Sequence, residues 1–120
     1  MNTSAVLLQD SLLLIWNNRN SAERLQLMEK IYASDISFYE SNNSEPFTGF
    51  QAIDELIQKL QQDWPSDFEF VLTESLKSNH NIQHIAWQLG VPGQQAVAKG
   101  ADIAVTEGGK IKALYLFLES

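Results

Sequence analysis

The sequence contains no cysteine and few basic residues. The lack of cysteine excludes disulfides, thiolate metal ligands and a cysteine nucleophile, so any catalytic chemistry must use oxygen or nitrogen groups. Eight Lys and Arg residues stand against fifteen Asp and Glu residues, which gives a net charge of −7. Such a surface repels a phosphate backbone and favours neutral or cationic ligands. We therefore predict no nucleic-acid partner.

Long hydrophobic runs are also missing. The run "LLLIW" at Leu12–Trp16 is far shorter than the roughly 20 residues that a membrane span needs, and no basic segment precedes it. We predict no membrane association and a cytoplasmic location. With 120 residues, 44% of them hydrophobic, the chain is long and apolar enough to bury a core without disulfides or a metal. We predict a single domain over residues 1–120.

Three helices are predicted in the first half of the chain. Residues 5–17 carry a broad apolar stripe along one helical face. Asn20 followed by Glu23 forms a capping box at the start of a second helix, and Thr48 with Gln51 forms another at the start of a third. The proline in "DWPSD" ends this third helix.

Strand spacing begins between the second and third helices. Ile36, Phe38 and Glu40 alternate with Ser37 and Tyr39, so the Glu40 carboxylate points to the apolar side of the strand. The polar loop "SNNSEPF" follows. Four longer strands are predicted in "FEFVLTES", "IQHIAWQL", "AVAKGADIAV" and "KIKALYLFL", the last two joined by a hairpin at "TEGGK". Helices followed by a meander of strands predict an α+β fold, in which three helices leave a cavity over a curved sheet.

These segments resemble the NTF2-like superfamily, and within it the SnoaL-like branch, from about Leu8 to Leu118. The resemblance rests on "YASDISFYE", on "GFQAI" at the start of the third helix, and on "GADIAVTEGGKIKALYLFL" near the end of the chain. It implies a cone-shaped curved sheet of mixed or antiparallel strands, one short and four long, packed on three helices around a central pocket. It also implies a homodimer formed through the outer face of the sheet. Members include ketosteroid isomerases and polyketide cyclases as well as domains that only bind ligands, so the fold alone fixes no chemistry.

The resemblance to ketosteroid isomerases assigns two candidate catalytic carboxylates. The segment "ESNNSEPFTGFQAI" aligns without a gap and places Glu40 where those enzymes have their general base. Asp102 falls at their second carboxylate, a protonated acid that stabilises an oxyanion, although the following turn is one residue shorter here. Their tyrosine on the first helix corresponds to Leu12 or a neighbouring leucine, so this chain departs from the isomerase pattern there.

The residues themselves allow the same roles. Desolvation in an apolar pocket raises the pKa of a carboxyl group toward neutrality, where it exchanges protons readily. Glu40 is then a general base, or else a solvated residue at the end of a strand. Asp102 is an oxyanion donor, or else a residue on the convex face, or one that is hydrogen-bonded to a core tryptophan or a backbone amide.

Six further residues are predicted ligand contacts around the cavity: Trp16, Tyr32, Phe38, His84, Trp87 and Tyr115. Trp87 and Tyr115 are favoured because each has a polar group that needs a partner when buried. His84 and His80 lie in or beside an extended segment without a metal-binding motif, so we predict no metal and no cofactor. The alternative for His84 is a half-exposed strand residue.

Two functions remain open at this point. One is a pocket for a small hydrophobic molecule in which a cofactor-independent isomerase, cyclase or dehydratase uses the two carboxylates. The other is a non-catalytic module of the same fold that binds a ligand or dimerises.

Overall fold

The computed structural model describes residues 6–41 and 44–119. The predicted helix start at residue 5, and residues 42 and 43 of the predicted loop, lie outside these ranges. The first helix, α1, is α-helical over Leu7–Asp10 and continues as a π-helix over Ser11–Trp16. Helix α2 spans Ser21–Ile31, and helix α3 spans Phe50–Asp63. In the part of the chain that is described, no helix is long and apolar enough to cross a membrane.

The two predicted capping boxes have different outcomes. The first box forms in part: the Asn20 side chain accepts a hydrogen bond from the Glu23 backbone N–H at 2.9 Å, whereas the Asn20 backbone N–H donates to Asn18 Oδ1 instead of to the Glu23 side chain. The box at Thr48 is wrong: the residue before α3 is Gly49, and no side chain caps that helix. Thr48 belongs to a short strand that pairs with Ser37, and Gly49, with a φ of 87°, makes the turn into the helix.

Six strands form one sheet: β1 (Tyr32–Tyr39), β2 (Phe47–Thr48), β3 (Glu69–Asn79), β4 (Ile82–Gly90), β5 (Ala98–Glu107) and β6 (Lys110–Leu118). Their order is β2-β1-β6-β5-β4-β3. β1 runs parallel to β6 and every other pair is antiparallel, so the sheet is mixed. The short β2 adds a sixth strand to the five predicted. Within the described residues the sheet is open, with β2 and β3 at its edges.

Tight turns and bulges shape this sheet. Gly108 and Gly109 have φ values of 60° and 80°, the left-handed geometry of a two-residue hairpin, which confirms the predicted turn between β5 and β6. Register shifts interrupt the ladders of β1, β3 and β5. Such bulges increase the local twist and bend of a strand. The inner face of the bent sheet packs against the helices, and the outer face is the opposite one.

Helices α2 and α3 are joined through a buried arginine. Arg24 is fully buried, and its Nε donates to Asp54 Oδ1 at 2.7 Å. Its two terminal nitrogens donate to the Gln61 and Gln58 side chains, at 2.9 and 2.8 Å, and to the Asn18 backbone oxygen at 2.7 Å. This network satisfies a charge that would otherwise be expensive to bury, and it fixes α3 against the loop that follows α1.

Candidate functional site

A cavity of about 250 Å³ lies on the inner face of the sheet, between the strands and helices α1 and α3. Five aromatic side chains line it: Trp16, Phe38, Trp64, Phe70 and Trp87. Seven aliphatic side chains complete the apolar wall: Leu12, Leu60, Leu89, Val97, Ala98, Leu116 and Leu118. Val97 and Leu118 are largely exposed and mark the opening. The other two lining residues are the carboxylates Glu40 and Asp102.

The strand register, carried one residue past the end of β1, aligns these two carboxylates in one row across the sheet. Asp102 on β5 pairs with Leu116 on β6. Tyr39, the last residue of β1, pairs with Tyr115, so the register carried one residue further sets Glu40 beside Leu116. Adjacent strands are about 4.8 Å apart, which separates the Glu40 and Asp102 backbones by about 10 Å. A small ligand over Leu116 would therefore lie between the two carboxyl groups.

Asp102 is a buried acid at the inner end of this row. Its side chain is enclosed by the apolar wall, and the residue is only 8% exposed. Burial raises the pKa of Asp102 from 3.8 to about 7, and a hydrogen bond from Trp87 acts in the opposite direction. Trp87 Nε1 donates to Asp102 Oδ1 at 3.1 Å. Because Oδ1 accepts this bond, Oδ2 is the oxygen left to carry the proton.

Gly100 sets the position of the Trp87 ring. A Cβ atom at Gly100 would lie 2.7 Å from Trp87 Cζ2 and 2.8 Å from the Phe117 backbone oxygen. Both distances are shorter than real Cβ contacts, so the indole occupies the space that any larger residue would fill. Two positions further along β5, Asp102 receives the indole N–H. The glycine therefore allows the ring to lie against β5 with its N–H directed at the acid.

Tyr32 lies behind the cavity wall. Its hydroxyl accepts a hydrogen bond from Trp16 Nε1 at 3.1 Å and shares a second hydrogen bond with the Ser11 hydroxyl. The pKa of Tyr32 is raised to about 12, chiefly by burial; the two hydrogen bonds lower this pKa, and the nearby charge of Asp102 raises it. Contrary to expectation, Tyr32 is not among the lining residues. It orients Trp16 instead.

The first helix presents no hydroxyl to the cavity. Its lining residues are Leu12 and Trp16, and the indole N–H of Trp16 donates its hydrogen bond to the Tyr32 hydroxyl. Leu12, one of the leucines predicted as a counterpart of the isomerase tyrosine, does line the cavity. The departure seen in the sequence is therefore also present in the folded site.

Two more predicted contacts lie on the outer face of the sheet. His84 alternates with the buried residues Ile85 and Trp87 and pairs with Ile103. Its Nδ1 is buried without a hydrogen-bond partner. Tyr115 stacks on Tyr39, with ring centroids 4.6 Å apart and planes 8° from parallel. Contrary to expectation, neither His84 nor Tyr115 lines the cavity, whereas Trp16, Phe38 and Trp87 do.

Two aromatic lining residues, Trp64 and Phe70, are not among the ligand contacts predicted from the sequence. Phe70 packs edge-on against Trp87 at 5.0 Å and against Trp64 at 5.7 Å. Strand alternation alone would have placed Phe70 on the inner face. Trp64 follows α3 in an extended conformation, outside any helix or strand, so sequence periodicity does not predict which way its side chain points. Among the described residues, no group of three or more His, Asp and Glu side chains is arranged to hold a metal ion.

Comparison with known proteins identifies the fold. No protein-family profile matches the sequence, and no curated protein matches it significantly. An isomerase candidate of the SnoaL-like family from Agrobacterium tumefaciens has a similar structure, with a TM-score of 0.84 and 24% identity over 100% of both chains. A SnoaL-like polyketide cyclase candidate from Jannaschia sp. CCS1 gives 0.78 at 10% identity, covering 98% of this chain and 85% of the other.

A ketosteroid isomerase candidate from Kribbella flavida gives a TM-score of 0.72 at 16% identity, over 98% of this chain and 78% of the other. At these identities the likeness extends to architecture, including the mixed sheet and three helices described above. The chain therefore has the NTF2-like fold that SnoaL-like and ketosteroid isomerase-like proteins share.

Proposed function

We propose that the protein binds a small hydrophobic carbonyl compound in the cavity and moves a proton between two of its carbon atoms. The wall is apolar apart from two carboxyl groups in one row. A cavity of about 250 Å³ is small among ligand pockets, which typically measure about 300–1,000 Å³. A one-ring or two-ring ketone therefore suits it better than a larger molecule.

Glu40 is the proposed general base. Its carboxylate removes a proton from the carbon next to the carbonyl group, and the electron pair of that C–H bond forms an enolate. The carboxylic acid then returns the proton to another carbon of the conjugated system. The substrate is isomerised, Glu40 is regenerated, and the transfer consumes no cofactor.

Asp102 is the proposed donor to the enolate oxygen. The burial of this carboxyl group, with its raised pKa, is the observation that carries the proposal. Its raised pKa, about 7, keeps a large fraction of the side chain protonated near neutral pH. The protonated Oδ2 donates a hydrogen bond that strengthens as negative charge develops on the substrate oxygen. Trp87 holds Oδ1 at the same time, so the acid is already oriented before the substrate binds.

The experiment uses 3-cyclohexen-1-one, whose isomerisation to the conjugated ketone is followed by ultraviolet absorbance. We expect catalysis by the wild type, and a fall in rate of about 10²–10⁴-fold in Glu40→Gln because the general base is lost. Asp102→Ala should lower the rate about 10²–10³-fold because the oxyanion donor is lost. Glu55→Gln, which changes an exposed carboxylate of α3, is the matched control and should leave the rate unchanged.

Turnover that survives unchanged in both cavity variants would refute the assigned roles. An absence of turnover combined with tight binding of a naphthol, an enolate mimic, would support the other function: a ligand-binding module without catalysis. In that case Asp102→Ala should still weaken naphthol binding, since the hydrogen bond to the phenolic oxygen is lost.

The protein is also proposed to form a homodimer through the outer face of the sheet. A row of side chains crosses that face, from Tyr39 through Tyr115 and Ile103 to His84. Phe117 lies on the same face and is 57% exposed in the single chain. Contiguous exposed apolar surface of this kind is typical of an interaction site.

Sedimentation equilibrium tests the dimer. We expect a mass near twice 13.5 kDa for the wild type at micromolar concentration. Tyr115→Lys should shift the mass toward that of the single chain, because a charge would be buried in the interface. Leu14→Lys changes a similarly exposed apolar residue on α1 and should leave the dimer intact. A wild-type mass of one chain at high micromolar concentration would exclude the proposal.

A further inference from the structure

The ring of Phe70 stands at a steep angle to each of the three tryptophan rings of the cavity. Trp16 and Phe70 are 88° from parallel, Phe70 and Trp87 are 87° apart, and Trp64 and Phe70 are 75° apart. The three partners of Phe70 are indoles, the aromatic systems that attract cations most strongly.

The charges in the cavity have one sign. Among its fourteen lining residues there is no Lys, Arg or His, and the two ionisable side chains are Glu40 and Asp102. The whole chain carries a net charge of −7. An anionic ligand would meet two acids in an environment of low dielectric, where repulsion is strong. A cation would be attracted both by the acids and by the aromatic rings.

We infer that the cavity binds a small organic cation, an alkylated ammonium group whose charge lies over the row from Glu40 to Asp102 and whose alkyl groups contact the aromatic walls. This ligand class is independent of the proposed proton transfer, because it requires binding only. The cavity volume of about 250 Å³ accommodates a trialkylammonium head group with a short chain. The exposed residues Val97 and Leu118 leave the opening free for the rest of the ligand.

Ligand binding and the protonation of Asp102 are then coupled. A cation beside the carboxyl group favours its ionised form, and burial disfavours it. The other titratable groups near Asp102 are Glu40, which lines the same cavity, and Tyr32, which lies behind the cavity wall. Neither supplies a positive charge, and His84, on the adjacent strand, faces the opposite side of the sheet. Since the pKa of Asp102 in the free protein is about 7, affinity for the cation should rise as the pH rises from about 6 to about 8.

Two compounds of nearly equal shape test the inference: choline and 3,3-dimethyl-1-butanol, in which carbon replaces the charged nitrogen. Binding to the wild type is measured by titration calorimetry and tryptophan fluorescence at pH 8. We expect choline to bind at least about tenfold more tightly than the neutral alcohol. In Glu40→Gln/Asp102→Asn this preference should fall severalfold, whereas Glu55→Gln should retain it.

The wild type alone decides the outcome. If it binds the two compounds with equal affinity, or binds neither at millimolar concentration, the inference is overturned, whatever the variants do. These results are distinct from those of the ketone assay. Isomerisation without any preference for choline would refute cation binding and leave the proposed catalysis in place. A preference for choline without isomerisation would support cation binding and refute the proposed catalysis.

Discussion

Replacing Arg24 with Met is expected to lower the free energy of unfolding by about 3–5 kcal/mol. The fully buried guanidinium is the partner of Asp54, so its removal leaves a buried carboxylate without a counter-ion. The Gln58 and Gln61 side-chain oxygens lose a donor in the same variant. Urea denaturation followed by circular dichroism measures the effect as a shift of the midpoint at constant slope.

Two further variants separate the effect of leaving the Asp54 carboxylate unpaired from the effect of losing an ion pair as such. Arg24→Met/Asp54→Leu removes both charges and should recover more than half of the loss, because apolar replacement of a whole buried pair is often neutral. Lys112→Met breaks the ion pair with Asp35, whose side chains are 40% and 65% exposed, and should leave the midpoint unchanged. If Arg24→Met behaved like Lys112→Met, the buried network would not stabilise the fold.

The second large effect is a loss of stability with rising pH that depends on Asp102. The unfolded chain releases this proton near pH 3.8, and the folded chain near pH 7. Between these values the folded state binds more protons than the unfolded state, so stability falls as the pH rises and levels off above pH 7. The full shift corresponds to about 4 kcal/mol. Asp102→Asn is neutral throughout and should lack this fall, which makes it more stable than the wild type at pH 8.

Denaturation midpoints at a series of pH values test this expectation, and NMR titration of the Asp102 carboxyl carbon measures its pKa directly. The variant Trp87→Phe tests how the hydrogen bond from the indole affects the pKa of Asp102. It removes the hydrogen bond that lowers the pKa of Asp102, so the pKa in that variant should rise above the wild-type value. Parallel pH profiles for the wild type and Asp102→Asn would contradict a desolvated acid in the cavity.

Alternation and turn residues are local signals, and from them the sequence predicts the helices, the strands and the inward direction of Glu40. The resemblance to ketosteroid isomerases assigned Asp102 and the catalytic role of both carboxylates. Glu40 follows Ile36 and Phe38 at strand spacing, and Asp102 lies between Gly100 and Ala104 on the buried side of β5. Both line the cavity. Their position in one row depends on the parallel register of β1 with β6, which joins distant parts of the chain and has no local sequence signal.

The misplaced contacts have identifiable reasons. In β6 both faces are apolar, so alternation does not tell which side Tyr115 occupies; the structure places it outside with Tyr39. His84 and Trp87 are an odd number of positions apart on one strand, and alternation alone sets them on opposite faces. The burial of Arg24 has no signal in the sequence of α2, because its partners on α3 become neighbours only after folding.

The parallel pairing of β1 with β6 also has a consequence for the order of folding. β3, β4, β5 and β6 follow one another through short connections, and their pairing closes only small loops. β1 reaches β6 from the opposite half of the sequence, and closing that long loop carries a larger entropy cost and slows the step. The meander that contains Asp102 is therefore expected to form first. Glu40 joins it only when β1 docks, so the acid is in place before the base arrives and the cavity is completed late.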